Sequence, residues 1–203
     1  MAKNIAKLED MEYVINPKTG KEIDMRKLLK EQNRAKAALC GSYPFFSRLA
    51  DMLTPIYTWS VPTQATDGTR LFVNPEFTDN LDLEGKIFVL AHEIMHCALD
   101  HMARAKMHGH EHRRSNIAGD YEINGLLAQD GMIDGSTISN KLHGLYDDKF
   151  VGVGYERIYE MNPSEGKAPD TGADNQDKIT YDEDFIKGYK QAIEDYKAGK
   201  IKL

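Results

Sequence analysis

Apolar residues recur at intervals of three and four along most of this chain, and only one short region is rich in β-branched and aromatic side chains. Helices should therefore dominate, with few strands. The most regular run is Leu83, Ile87, Leu90, Ala91, Ile94, Met95, Ala98, Leu99 and Met102. With Asp82 as N-cap it predicts a long helix over 82–107 that fades near Gly109. Asp24 can cap a helix reaching Leu39, with Gly41 as its stop. Pro44 opens a second, with a stripe of Phe45, Phe46, Leu49, Met52 and Leu53 closed by Pro55, so that helices fill 24–53. Ser115 caps a further helix over 115–129 through Ile117, Tyr121, Ile123 and Leu127, ending before Gly131. A loop and a short helical turn from Tyr155 to Met161 follow. Residues 56–63 and 70–74 flank Asp67-Gly68 and read as a hairpin over 56–74.

The pattern then changes. From Asn162 to Lys178 the chain is rich in Pro, Gly and Asp with almost no apolar residue, the composition of an exposed linker, here 162–180. Phe185, Tyr189, Ile193 and Tyr196 mark a last amphipathic helix within 181–203, which docks back on the domain or meets a protein partner. The expected fold class is α+β: one mostly helical domain over 1–161 with a small β-hairpin, the linker and the terminal helix. No internal repeat is visible.

Composition narrows the function. With 203 residues, 41% of them hydrophobic, the chain can bury a sizeable core. Its 26 basic and 32 acidic residues leave a net charge of −6, which gives no footprint for nucleic acid or an anionic membrane surface. The central apolar stretch Ile87 to Ala91 is far shorter than the roughly 20 residues of a membrane span. After Met1 to Lys7, Leu8-Glu9-Asp10 replaces the apolar region a secretory peptide needs. Cys40 and Cys97 are too few for a disulfide scaffold. A reducing, cytoplasmic setting is expected.

The chemistry concentrates in Ala91-His92-Glu93-Ile94-Met95-His96, an H-E-x-x-H motif inside the most periodic helix. Residues four apart on a helix differ by about 40° around the axis, so both imidazoles can meet one metal ion. Zinc accepts nitrogen ligands at this spacing. Glu93, about 100° from His92, sits where a general base can reach a water at the metal. Two histidines leave a catalytic site one protein ligand short. His101 is about 180° from His92 and points away on a straight helix. Asp100, on the same helix, reaches the ion with difficulty, and His108, His110 and His112 read as a solvated turn. Asn116, Asp120 and Asn124 instead share one face of the following helix. Asp120 is the expected third ligand, with Asn116 and Asn124 supporting by hydrogen bonds and Glu122 a lesser alternative. Gly119 would let this helix pack closely on the metal helix.

Five segments, in order, resemble a family of predicted metallopeptidases. They are Pro44 to Phe46, Arg70 to Phe77, Leu90 to Leu99 with His101 and Arg104, Asn116 to Asn124, and Tyr155 to Tyr159. The resemblance covers about 30–161 and implies a zincin-like fold, one Zn2+ ion and peptidase chemistry. His92 and His96 match ligand positions, Glu93 the base and Asp120 the aspartate of the second helix. Longer members carry a von Willebrand factor A-like half downstream; this chain reads as a short form without it, which suits a phage or mobile-element protein. Asp100 stands where the family commonly has a small residue, and the acidic linker and terminal helix lie outside the pattern.

The expected activity is hydrolysis of a peptide or protein substrate by zinc-activated water, Glu93 taking its proton. His143, Tyr146 and Tyr155 are candidates to steady the oxyanion. The strand Arg70 to Asn74 is the expected edge for an extended peptide. Two other readings fit the same residues: a zinc hydrolase acting on a non-protein amide, and a zinc-stabilised interaction module without catalysis.

Overall fold

A computed structural model describes residues 13–161. The linker and terminal helix expected over 162–203 lie outside the described residues. Within them the fold is a mostly helical α+β domain. No described helix is long and apolar enough to cross a membrane.

An antiparallel pair, β1 (Tyr13–Ile15) and β2 (Glu22–Asp24), opens the described chain. It is too short to announce itself by alternation. Asp24 then caps α1 (Met25–Ser42), its carboxylate accepting the Lys27 N–H at 2.9 Å. α2 (Phe45–Met52) follows, and Pro55 falls in the next strand.

The three-stranded sheet differs from the expected hairpin. β3 (Thr54–Tyr57) runs parallel to β5 (Arg70–Val73), while β4 (Gln64–Thr66) pairs antiparallel with β5 across the Asp67-Gly68 turn. The order is β3-β5-β4. Arg70 to Val73 is therefore the middle strand and cannot be a free edge; β4 holds that place on the side of the metal motif. Two strands compete for β5 here, a choice that local alternation does not encode.

Asn74 caps α3 (Pro75–Asn80), a helix too short to show periodicity. Asp82 caps α4 (Leu83–Ala98) as expected. Phe88, Ala91 and Ile94 of α4 are buried with Leu39, Phe46, Leu53, Val73 and Ile123 in the main core. Each large side chain in that core contributes about 1.5–3 kcal/mol. Lys86, 5% exposed, sends its Nζ to Glu31 at 3.1 Å and to the Leu81 carbonyl, tying α4 to α1.

The long helix expected over 82–107 is two helices. Asp100 adopts φ 54°, the left-handed region, and ends α4 before α5 (His101–His108) begins. Aspartate is one of the few residues that enter this conformation at low cost. α6 (His112–Gln129) starts one turn earlier than expected, capped by Glu111 rather than Ser115. Ser115 is buried inside α6 and receives the Tyr155 hydroxyl at 3.0 Å. After α6 come α7 (Gly135–Asn140), a single 3-10 turn (Asp148–Phe150) and α8 (Tyr155–Met161). Tyr155 and Ile158 of α8 are buried in one cluster with Tyr121 of α6 and Phe150 of the 3-10 turn.

Candidate metal centre

The core face of α4 turns Ala91 and Ile94 inward, so His92, Glu93 and His96 fall on the side that borders a cleft of about 300 Å³. α6 forms the opposite wall and carries Asp120, 8% exposed, toward them. His92 Nε2 and His96 Nε2 stand 3.1 Å apart. Asp120 Oδ1 is 3.3 Å from the first and 3.1 Å from the second. Two imidazole nitrogens and a carboxylate oxygen thus converge. Ligand bonds of about 2.0–2.1 Å in tetrahedral array put donor atoms about 3.3 Å apart, so the set fits one zinc-sized ion. Open cleft beyond leaves a position for water.

The outer imidazole nitrogens are held as well. His92 Nδ1 lies 2.8 Å from Asn124 Oδ1, and Asn124 Nδ2 donates to the Leu145 carbonyl at 2.8 Å. The second bond fixes which way the amide faces. Its oxygen must accept, so His92 carries a proton on Nδ1, which leaves Nε2 as the nitrogen that would ligate an ion. Asn124, expected to support a ligand by hydrogen bonding, is thus joined to His92. Asn116, a turn before Asp120, lines the cleft wall and is not joined to either histidine.

His101 does not point away. The reversal at Asp100 swings it back, and its Nδ1 lies 3.1 Å from His96 Nδ1. Glu122, weighed as an alternative ligand, bonds His101 Nε2 at 2.7 Å instead of reaching the cluster. Gly119 makes room for this ring rather than for α4: a Cβ there would stand 2.8 Å from His101 Nδ1. The break in the helix was not legible from periodicity, because Leu99 and Met102 keep the apolar rhythm across it.

Electrostatics set the site apart. Burial pushes the Glu93 carboxyl up to about 7, with Asp120 adding to the rise and His92 opposing it. Burial would raise Asp120 too, but hydrogen bonds from His92 and His96 hold it well below the usual carboxylate range. Burial lowers His96 to about 4. His92 is raised to about 9, because the Asp120 contact outweighs burial. Acidic and basic groups with opposed shifts in one cleft are what hydrolytic chemistry uses.

The remaining expectations divide. His143, φ 55°, lines the cleft on the loop after α7. Tyr155 is fully buried between α6 and α8, its hydroxyl on Ser115 and 2.9 Å from His110 Nδ1, so it is a core residue and no oxyanion helper. Tyr146 donates to Asp148 at 2.8 Å and packs over Gly135, outside the cleft lining. His110 is no solvated turn residue: its ring stacks on Tyr159 at 3.7 Å.

One family model, described as "Putative metallopeptidase domain", matches residues 27–201. The match extends well beyond 161, so the acidic segment and most of the last stretch lie inside the family's span rather than outside its pattern. No curated protein and no solved structure matches the chain.

Proposed function

From the premise that the chain belongs to this metallopeptidase-domain family, we propose that it is a zinc-dependent peptidase with His92, His96 and Asp120 as metal ligands and Glu93 as general base. The observation that carries this reading is the convergence of three donor atoms within 3.3 Å of one another beside a buried carboxyl, at the floor of an open cleft.

When bound, the ion supplies Lewis-acid chemistry, acidifying a water and polarising a carbonyl. Glu93 takes the proton from the attacking water. Its proton affinity, raised by burial to about 7, suits it to hold that proton near neutral pH and hand it to the leaving amine. Of the three candidates considered for the oxyanion, His143 is the one that lines the cleft, and it steadies the developing charge.

The substrate is an extended peptide laid along β4. The Asn74 N–H donates to the Thr63 carbonyl at 2.9 Å and the Asp67 N–H to the Arg70 carbonyl at 3.4 Å. Antiparallel pairing alternates, so Thr63, Ala65 and Asp67 face β5 and the main-chain groups of Gln64 and Thr66 turn the other way. Thr63 to Thr66 line the cleft, which supports strand addition to this edge.

Glu93→Gln is the decisive test. Zinc content should stay at one ion per chain, and cleavage of a peptide library should fall by at least about 100-fold. Unchanged cleavage would sink the assignment of the base. An uncut library with turnover of small amides would move the substrate class, and zinc binding with no hydrolysis of either would leave a structural metal.

A further inference from the structure

We infer that His101 and Glu122 are positioning residues that hold His96 in the one tautomer able to bind a metal ion, so that the centre rests on a directed chain from α8 to the ligand. The inference rests on the metal reading above.

The direction of the chain follows from its two ends. Glu122 is an acceptor, and its Oε2 already receives Arg104 Nη1 at 3.4 Å. Arg104 in turn is clamped by Glu156 of α8, with Nε to Oε1 at 2.8 Å and Nη2 to Oε2 at 2.7 Å. The Tyr155 main-chain N–H also reaches the Glu122 carboxylate. Glu122 is therefore pinned between α5 and α8, and His101 must offer it an N–H from Nε2 at 2.7 Å. A metal ion on His96 Nε2 requires the His96 proton to sit on Nδ1, and the atom placed to accept it is His101 Nδ1. That nitrogen stands 3.1 Å from His96 Nδ1, which is then the donor. The lone pair of His96 is left on Nε2, the atom 3.1 Å from both Asp120 Oδ1 and His92 Nε2.

Two further features make the arrangement specific. His101 is 5% exposed and stacks on Tyr155 with ring centres 5.2 Å apart, so water does not compete for its bonds. It reaches His96 only because Asp100 reverses the backbone and residue 119 has no Cβ. His92 is steadied by one amide; His96 is steadied by a chain that crosses three helices.

The test uses the full chain and zinc itself, with affinity read by competition against a chromophoric chelator. His101→Leu and Glu122→Leu should each weaken zinc binding about 10- to 100-fold, the usual cost of losing a ligand's outer partner. Because the two act in series, the double variant should bind no worse than the weaker single. His101→Asn places an acceptor oxygen near the Nδ1 position and should return to within a few-fold of the parent. Cobalt loaded into the same variants should show an altered ligand-field spectrum for His101→Leu and a parental one for His101→Asn. Parental affinity in His101→Leu, full additivity in the double variant, or no rescue by His101→Asn would each overturn the inference. His92→Ala and Asp120→Ala separate it from the reading beneath it. If they abolish zinc binding while His101→Leu does not, only the positioning role fails; if they bind like the parent, the metal centre itself is misplaced.

Discussion

Asn124 Oδ1 stands 2.8 Å from His92 Nδ1, and the same amide's nitrogen is committed to the Leu145 carbonyl. An α6 side chain, 2% exposed, thereby decides which nitrogen of an α4 imidazole faces the cleft. Asn124→Leu keeps the volume and removes the acceptor. Zinc affinity, measured by chelator competition, should fall about 10- to 100-fold. Unfolding should also become easier by about 1–3 kcal/mol, since the buried Leu145 carbonyl loses its donor.

Metal removal gives the broader version of this prediction. Ions that bind only the folded state stabilise it in proportion to the logarithm of their concentration over Kd. Zinc at about 100 times Kd should contribute about 2.7 kcal/mol, and a chelator should lower Tm correspondingly. Asp120→Ala should erase the zinc-dependent part of Tm, which differential scanning fluorimetry can follow.

Gly119→Ala tests the close approach on α6. A Cβ at this position would meet the His101 ring at 2.8 Å from Nδ1 and 3.1 Å from Cε1, and the ring is backed by Tyr155. Helix propensity alone would favour alanine by about 1 kcal/mol. Overpacking should outweigh it and destabilise by about 1–3 kcal/mol, with zinc affinity falling as well. A rise in the denaturation midpoint would contradict the packing.

Asp100 separates backbone from side-chain effects. At φ 54° glycine is free of the left-handed penalty, so Asp100→Gly should be neutral or slightly stabilising. Asp100→Val should cost about 1–2 kcal/mol in urea unfolding, because a β-branched residue resists this region. Zinc binding should follow the backbone: retained in the glycine variant, weakened in the valine variant as His101 is displaced.

Acid stability should report the Arg104–Glu156 clamp. Hydrogen bonds from Arg104 hold the Glu156 carboxyl down to about 2, against an ordinary value of 4.5. The folded state binds this proton less readily than the unfolded chain, so the clamp's contribution is complete above about pH 4.5 and fades as pH falls toward 2. Glu156 is 40% exposed, and screening limits the effect to about 1 kcal/mol. Glu156→Gln should flatten that part of the acid unfolding curve and leave the neutral region nearly parallel to the parent.

Read by itself, the chain determined whatever depends on neighbours a few residues apart. His92 and His96 share a face because four residues make about one helical turn. Asp24 and Asp82 cap their helices because a carboxylate two or three residues upstream can satisfy free N–H groups. Asp120 and Asn124 could be placed on one face of α6 for the same reason. Tertiary structure decided the rest. Periodicity cannot say which polar residues of α6 meet α4, and packing joined Asn124, not Asn116, to a histidine. Nor can it register a change of backbone sign at one residue: Asp100 reverses the chain without disturbing the apolar rhythm, and only that reversal brings His101 to His96. Strand order escaped for a related reason, since β3 and β4 both carry strand-forming residues and the choice of flank on β5 is made by the helices packed around them. The motif was a property of spacing; the shell that orients it is a property of contacts between residues far apart in the chain.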